Sequence, residues 1–86
     1  MHQIFLSPRA AKDLKKLSSD LQARISAVLL KLSKEPFHDL QTKYLKDKKL
    51  ADFRVRVGDY RILYDVYPKD KVVYVLRIGH RKDIYR

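Results

Sequence analysis

Two turn signals in the second half of the chain leave few ways to fold it. Asp52 to Val57 and Tyr60 to Tyr67 are β-branched and aromatic runs separated only by Gly58-Asp59. Pro68-Lys69-Asp70 then leads into Lys71 to Ile78, where Val72-Val73-Tyr74-Val75-Leu76 is apolar on both sides, as in a strand with neighbours in a sheet. Strands joined by such short turns pair as an antiparallel meander. Counting outward from a two-residue turn fixes the first pairing, because turn length sets register. Val57 then faces Tyr60, Arg56 faces Arg61, Val55 faces Ile62, Arg54 faces Leu63 and Phe53 faces Tyr64.

The first half has a different period. His2 to Leu6 alternate weakly and end at Ser7-Pro8, where Ser can cap a helix and Pro suits its first position. Ala10, Ala11, Leu14 and Leu17 recur at helical spacing, with Arg9, Lys12, Lys15 and Lys16 on the other side. Ser18-Ser19 interrupts the pattern, and Ser19 with Gln22 reads as a capping box opening a second helix. Its stripe of Leu21, Ile25, Val28, Leu29 and Leu32 is stopped by Pro36. From Phe37 to Lys49 no period persists, which marks a connecting loop with room for a short irregular strand near Tyr44-Leu45. The expected fold is therefore α+β, one domain over residues 1–86: an N-terminal strand, a two-helix hairpin, then a three-stranded antiparallel meander, with the helices on one face of a single sheet.

Composition narrows the function. No run approaches the 20 or so apolar residues that cross a bilayer, and no signal-peptide pattern opens the chain, so a cytoplasmic protein without membrane contact is expected. The absence of cysteine excludes disulfides, thiolate catalysis and Cys-based zinc sites. Twenty Lys and Arg against ten Asp and Glu give +10, which suits a polyanion or an acidic protein as partner. No Gly-rich phosphate loop, His-x-x-x-His or catalytically spaced carboxylate pair occurs, so no metal or other cofactor is expected.

The predicted register gathers Arg54, Arg56 and Arg61 on the sheet face away from the helices. Arg56 directly opposite Arg61 destabilises a sheet by roughly 0.2 to 1 kcal/mol unless something anionic sits between them. Arginine suits bidentate phosphate contacts, so a phosphate site is one reading; a solvated basic face, partly neutralised by Asp52 and Asp65, is the other. Arg77 changes face with a one-residue slip across the second turn and carries no weight. After the last strand, Gly79 begins a turn that bears His80, Arg81 and Tyr85. Histidine titrates near neutrality, so His80 is either a proton-transfer group or a surface residue. Tyr85 is either a base-stacking platform or a tail anchor. His2 and His38 are isolated. Cations and hydrogen-bond donors can still stabilise charge on a phosphodiester, and RNA supplies its own 2′-hydroxyl nucleophile.

Three segments resemble the RelE/ParE toxin superfamily of toxin-antitoxin systems: Ile4 to Ala10 with Asp13 to Leu17, Phe53 to Tyr64, and Ile78 to Tyr85. The resemblance implies a ribosome-dependent endoribonuclease that cuts mRNA in the ribosomal A site by metal-independent 2′-hydroxyl attack and so inhibits translation. By the same resemblance Arg54, Arg56, Arg61, Arg81 and Tyr85 take the family's functional positions. Arg61 with Arg54 and Arg56 would hold the scissile phosphate, Arg81 would donate to the leaving 5′-oxygen, and His80 or Tyr85 would assist the 2′-proton. Familiar members carry lysines where this chain has Arg54 and Arg56, and arginine stays protonated at working pH. Implied partners are mRNA on the ribosome, with 16S rRNA contacted through the basic surface, and an acidic RelB-like antitoxin. That antitoxin could lay a helix on the helical hairpin or add a strand to the sheet edge. Two other classes stay open: a ParE-like inhibitor of DNA gyrase without nuclease activity, and a basic nucleic-acid-binding domain without catalysis.

Overall fold

The computed structural model describes residues 1–36, 42–44 and 51–84. Seven elements follow in order: β1 (Gln3–Leu6), α1 (Pro8–Lys15), α2 (Ser19–Lys34), β2 (Thr42–Tyr44), β3 (Phe53–Val57), β4 (Tyr60–Tyr67) and β5 (Val72–His80). They form one five-stranded sheet in the order β1-β5-β4-β3-β2. β1 runs parallel to β5 and the other neighbours are antiparallel. No helix among the described residues is long and apolar enough to cross a membrane.

The β3–β4 register agrees with the counted one at all five pairs, from Phe53 opposite Tyr64 to Val57 opposite Tyr60. Gly58 at φ 60° supplies the left-handed residue that a tight hairpin turn needs in its first central position. Beyond it, alternation sends Val55, Val57, Ile62 and Tyr64 to the helix-covered side, where they pack with Ala10, Ile25, Leu29 and Leu32 of the helices. Burying one such aliphatic side chain contributes about 1.5–3 kcal/mol.

Ser7 begins α1 as expected. Its Oγ accepts from the Ala10 amide at 3.0 Å and donates to the Leu76 carbonyl at 2.9 Å, so the helix cap also ties α1 to β5. The start of α2 differs from expectation. Ser18, one residue earlier than Ser19, is the cap and accepts from the Leu21 amide at 3.3 Å. Gln22 turns instead toward α1, donating to the Leu14 and Leu17 carbonyls at 3.0 and 3.1 Å. The Leu14 carbonyl already accepts from the Leu17 amide at 3.1 Å, but the Leu17 carbonyl lies beyond the last turn of α1, and satisfying it favours this side-chain direction over a capping box. Pro36 follows α2, and its carbonyl accepts from the buried Tyr64 hydroxyl at 2.9 Å.

Three further expectations change. The short strand near Tyr44-Leu45 is β2, which ends at Tyr44; Leu45 lies outside the described residues. Lys71 belongs to the second turn, at φ 54°, and β5 starts at Val72. Gly79 and His80 continue β5 rather than turning, because they find partners on β4 at Arg61 and Tyr60. The turn falls at 81–84, where the amides of Asp83 and Ile84 both donate to the His80 carbonyl.

Candidate nucleic-acid interface

Arg54, Arg56 and Arg61 share the sheet face opposite the helices, with Arg56 directly across from Arg61. That face is less open than its sequence suggests. Leu63 belongs to it, and the turn at 81–84 lays Ile84 over Leu63, Leu76 and Ala51 as a second small core. A Cβ on Gly79, the residue opposite Arg61, would lie 3.6 Å from the Ile84 Cβ, so Ile84 also covers Gly79. Leu63 is fully buried by this cover, which removes apolar surface that would otherwise sit in water.

The cover gives the arginines different postures. Arg56 is exposed. Arg61 is only 8% exposed, and its Nη1 donates to the Gly58 and Tyr60 carbonyls at 3.1 and 3.0 Å. One side of its guanidinium is thus fixed against the hairpin tip, which orients the whole planar group. Arg54 is half-buried, and its Nε is shielded from solvent with no hydrogen-bond partner among the described residues. A shielded donor without a partner costs about 1–3 kcal/mol, which an incoming anion would recover.

Arg81 arrives at the same tip from β5. Its amide donates to the Asp59 carbonyl at 2.8 Å, and its Nε stands 3.9 Å from Asp59 Oδ1, with both side chains well exposed. At that distance and exposure the ion pair is weak and leaves the guanidinium available. His80 goes elsewhere. It lies opposite Tyr60 on the helix side of the sheet, their rings edge to face with centroids 5.4 Å apart, and its Nδ1 accepts from the Lys82 amide at 3.1 Å. Four of the expected residues, Arg54, Arg56, Arg61 and Arg81, therefore cluster around the β3–β4 hairpin, while His80 occupies the other side. Tyr85 lies outside the described residues.

Arg77 is structural. A bulge places it and Leu76 opposite Leu63, and its Nε donates to Asp13 Oδ2 at 3.1 Å; the Ile78 amide donates to the same oxygen at 3.0 Å. One residue was not singled out from sequence. Arg24 of α2 brings Nη2 to 3.0 Å from where a Gly58 Cβ would stand. Arg24 lies on the exposed side of α2, and only the packing of α2 against the hairpin reveals the approach.

An α+β domain with two helices on one side of an antiparallel-rich sheet and a cationic hairpin on the other is an architecture this chain shares with solved RelE-type toxins. Residues 4–85 match the family described as the ParE toxin of type II toxin-antitoxin system, parDE, and the chain belongs to that family as a RelE-like toxin. It is 36% identical over 78 residues to Toxin RelG of Mycobacterium tuberculosis (strain ATCC 25618 / H37Rv), spanning 90% of this chain and 87% of the relative. In fold it is similar to a chain of the toxin-antitoxin complex RelBE2 from Mycobacterium tuberculosis, with a TM-score of 0.81 and 30% identity over 93% of this chain and 98% of that one. It is likewise similar to a chain of the archaeal RelE-RelB complex from Pyrococcus horikoshii OT3, with a TM-score of 0.80 and 27% identity over 95% and 97% of the two chains.

Proposed function

We propose that this toxin is a ribosome-dependent endoribonuclease that cleaves mRNA by attack of the RNA's own 2′-hydroxyl on the adjacent phosphate. The observation that carries the reading is the β3–β4 register, which sets Arg56 against Arg61 with Arg54 on the same face and Arg81 at the same tip. Such a concentration of guanidinium groups is costly for a resting sheet and useful where phosphate charge builds. As the 2′-oxygen attacks it gives its proton to solvent water and the phosphorane gains negative charge on its non-bridging oxygens; the P–O5′ bond then breaks, leaving a 2′,3′-cyclic phosphate and a 5′-oxygen that takes its proton from water. Arg61, already oriented by two carbonyls, and Arg56 and Arg54 donate to those oxygens. Arg81 donates a hydrogen bond to the departing 5′-oxygen, and Tyr85 stacks on a flanking base. His80, on the other side of the sheet, serves the flanking nucleotide rather than the scissile phosphate. In the cell the basic surface meets mRNA and 16S rRNA in the cytoplasm. A RelB-like acidic antitoxin silences the toxin by covering the same cations.

Purified protein added to ribosomes translating a defined mRNA, followed by mapping of new 3′ ends, tests this. Cleavage confined to ribosome-bound mRNA is expected. Removing one donor aimed at developing charge costs on the order of 10²–10³ in rate, so Arg61→Ala and Arg81→Ala should each suppress cuts in that assay. Intact mRNA together with blocked DNA supercoiling in a gyrase assay would instead establish the ParE-like inhibitor. Intact mRNA that is nonetheless bound would leave a non-catalytic nucleic-acid-binding domain.

A further inference from the structure

Arg24 lies in the first half of α2 on its exposed side, next to the fully buried Ile25. Its guanidinium reaches the tip of the β3–β4 hairpin, and a Cβ on Gly58 would meet Nη2 at 3.0 Å. Glycine leaves that space open, so the guanidinium rests close against the turn. Among the described residues Arg24 makes no hydrogen bond or ion pair, although Asp20 stands one helical turn earlier. Bond lengths through Gly58 and the Arg61 contact to its carbonyl keep the Arg24 and Arg61 guanidiniums within about 10 Å of each other. That is close to the screening length of about 8 Å at physiological ionic strength, so the field of the buried Arg61 and that of the exposed Arg24 overlap at the tip.

The two arginines approach the tip from opposite sides of the sheet. Arg61 and Arg56 belong to the outer face, whereas Arg24 comes from the helix side, where Tyr60 and His80 present their paired rings. Arg81 stands at the tip itself, and the turn contributes a single carboxylate, that of Asp59. Positive charge therefore continues around the end of the sheet.

We propose that Arg24 holds a backbone phosphate of the RNA flanking the one held by Arg56 and Arg61, so that the strand bends around the hairpin tip onto the helix side. This rests on the ribonuclease reading above and adds to it a second phosphate subsite on α2. The bend turns the flanking nucleotide toward Tyr60 and His80 and exposes the scissile bond at the turn.

Binding of a short, fluorescently labelled single-stranded RNA, made uncleavable by 2′-O-methylation, tests this across a salt series from about 50 to 200 mM. Each phosphate neutralised on a single strand contributes a slope of about 0.7 to the fall of log K with log salt. Arg24→Ala should reduce the slope by about 0.7, Arg24→Lys should retain it, and Lys31→Ala, at the far end of α2, should leave it unchanged. Thermal unfolding of each variant confirms that the fold is kept. An Arg24→Ala slope equal to wild type, while Arg56→Ala lowers it, would overturn the Arg24 subsite and leave the ribonuclease reading standing. Wild-type protein with no salt-dependent binding of this RNA would overturn the subsite, and cleavage on the ribosome would then decide the ribonuclease reading separately.

Discussion

Replacing Gly58 by Ala forces a side chain onto the hairpin tip at φ 60°. For an L-residue the left-handed region costs about 1–2 kcal/mol, because the Cβ crowds the following carbonyl. The new Cβ also stands 3.0 Å from Arg24 Nη2, but this is the far end of an exposed, flexible side chain and swings away at little cost. The backbone term therefore sets the magnitude. For a domain of this length each kcal/mol moves the Tm by about 4–8 °C, so Gly58→Ala should lower it by roughly 4–16 °C. Far-UV circular dichroism on heating, with urea unfolding as an independent measure, reads the change. Combining Gly58→Ala with Arg24→Ala closes a double-mutant cycle, and the coupling should stay within a few tenths of a kcal/mol if the guanidinium yields freely. A loss below about 0.5 kcal/mol for Gly58→Ala, the range of ordinary surface substitutions, would refute the strained turn and with it the fixed register behind the arginine cluster.

Asp13→Ala removes the carboxylate that accepts from both the Arg77 Nε and the Ile78 amide, and the stranded donors should cost about 1–3 kcal/mol in urea unfolding. Tyr64→Phe loses the hydroxyl donated to the Pro36 carbonyl and should cost about 0.5–1.5 kcal/mol by the same measurement. Arg56→Gln relieves the like-charge pair with Arg61, so the variant should unfold at a slightly higher temperature, by the equivalent of roughly 0.2–1 kcal/mol, while producing fewer cuts on the ribosome. A variant that gained stability with undiminished cleavage would remove Arg56 from the phosphate site.

The hairpin was legible because a two-residue turn admits one register, and register alone decides which side chains share a face; Arg54, Arg56 and Arg61 follow from that count. Arg77 was not legible, since the bulge at Leu76 shifts the alternation and no local residue pattern marks it. The cap of α2 slipped by one residue because Ser18 and Ser19 are chemically identical there, and Gln22 is drawn to the carbonyls ending α1. The cover over Leu63 was hidden in a tail whose single aliphatic residue, Ile84, is surrounded by charges. His80 and Arg24 depend on which side of the sheet the strand end and the helix occupy. For His80 the strand had to continue past Gly79, and for Arg24 α2 had to be docked before its distance from the turn had meaning.

The position of β1 has a consequence for biosynthesis. Gln3 to Leu6 are made well before Val72 to Val75, yet they pair with them, and the Ser7 amide and hydroxyl donate to the Val75 and Leu76 carbonyls. β1 has no strand partner until Val72 to Val75 have been made, about 70 residues later, which at 5–20 residues per second is a delay of about 3–14 seconds. Throughout that interval the nascent chain lacks the completed sheet that aligns its cations, so the arginine face is assembled late and abruptly.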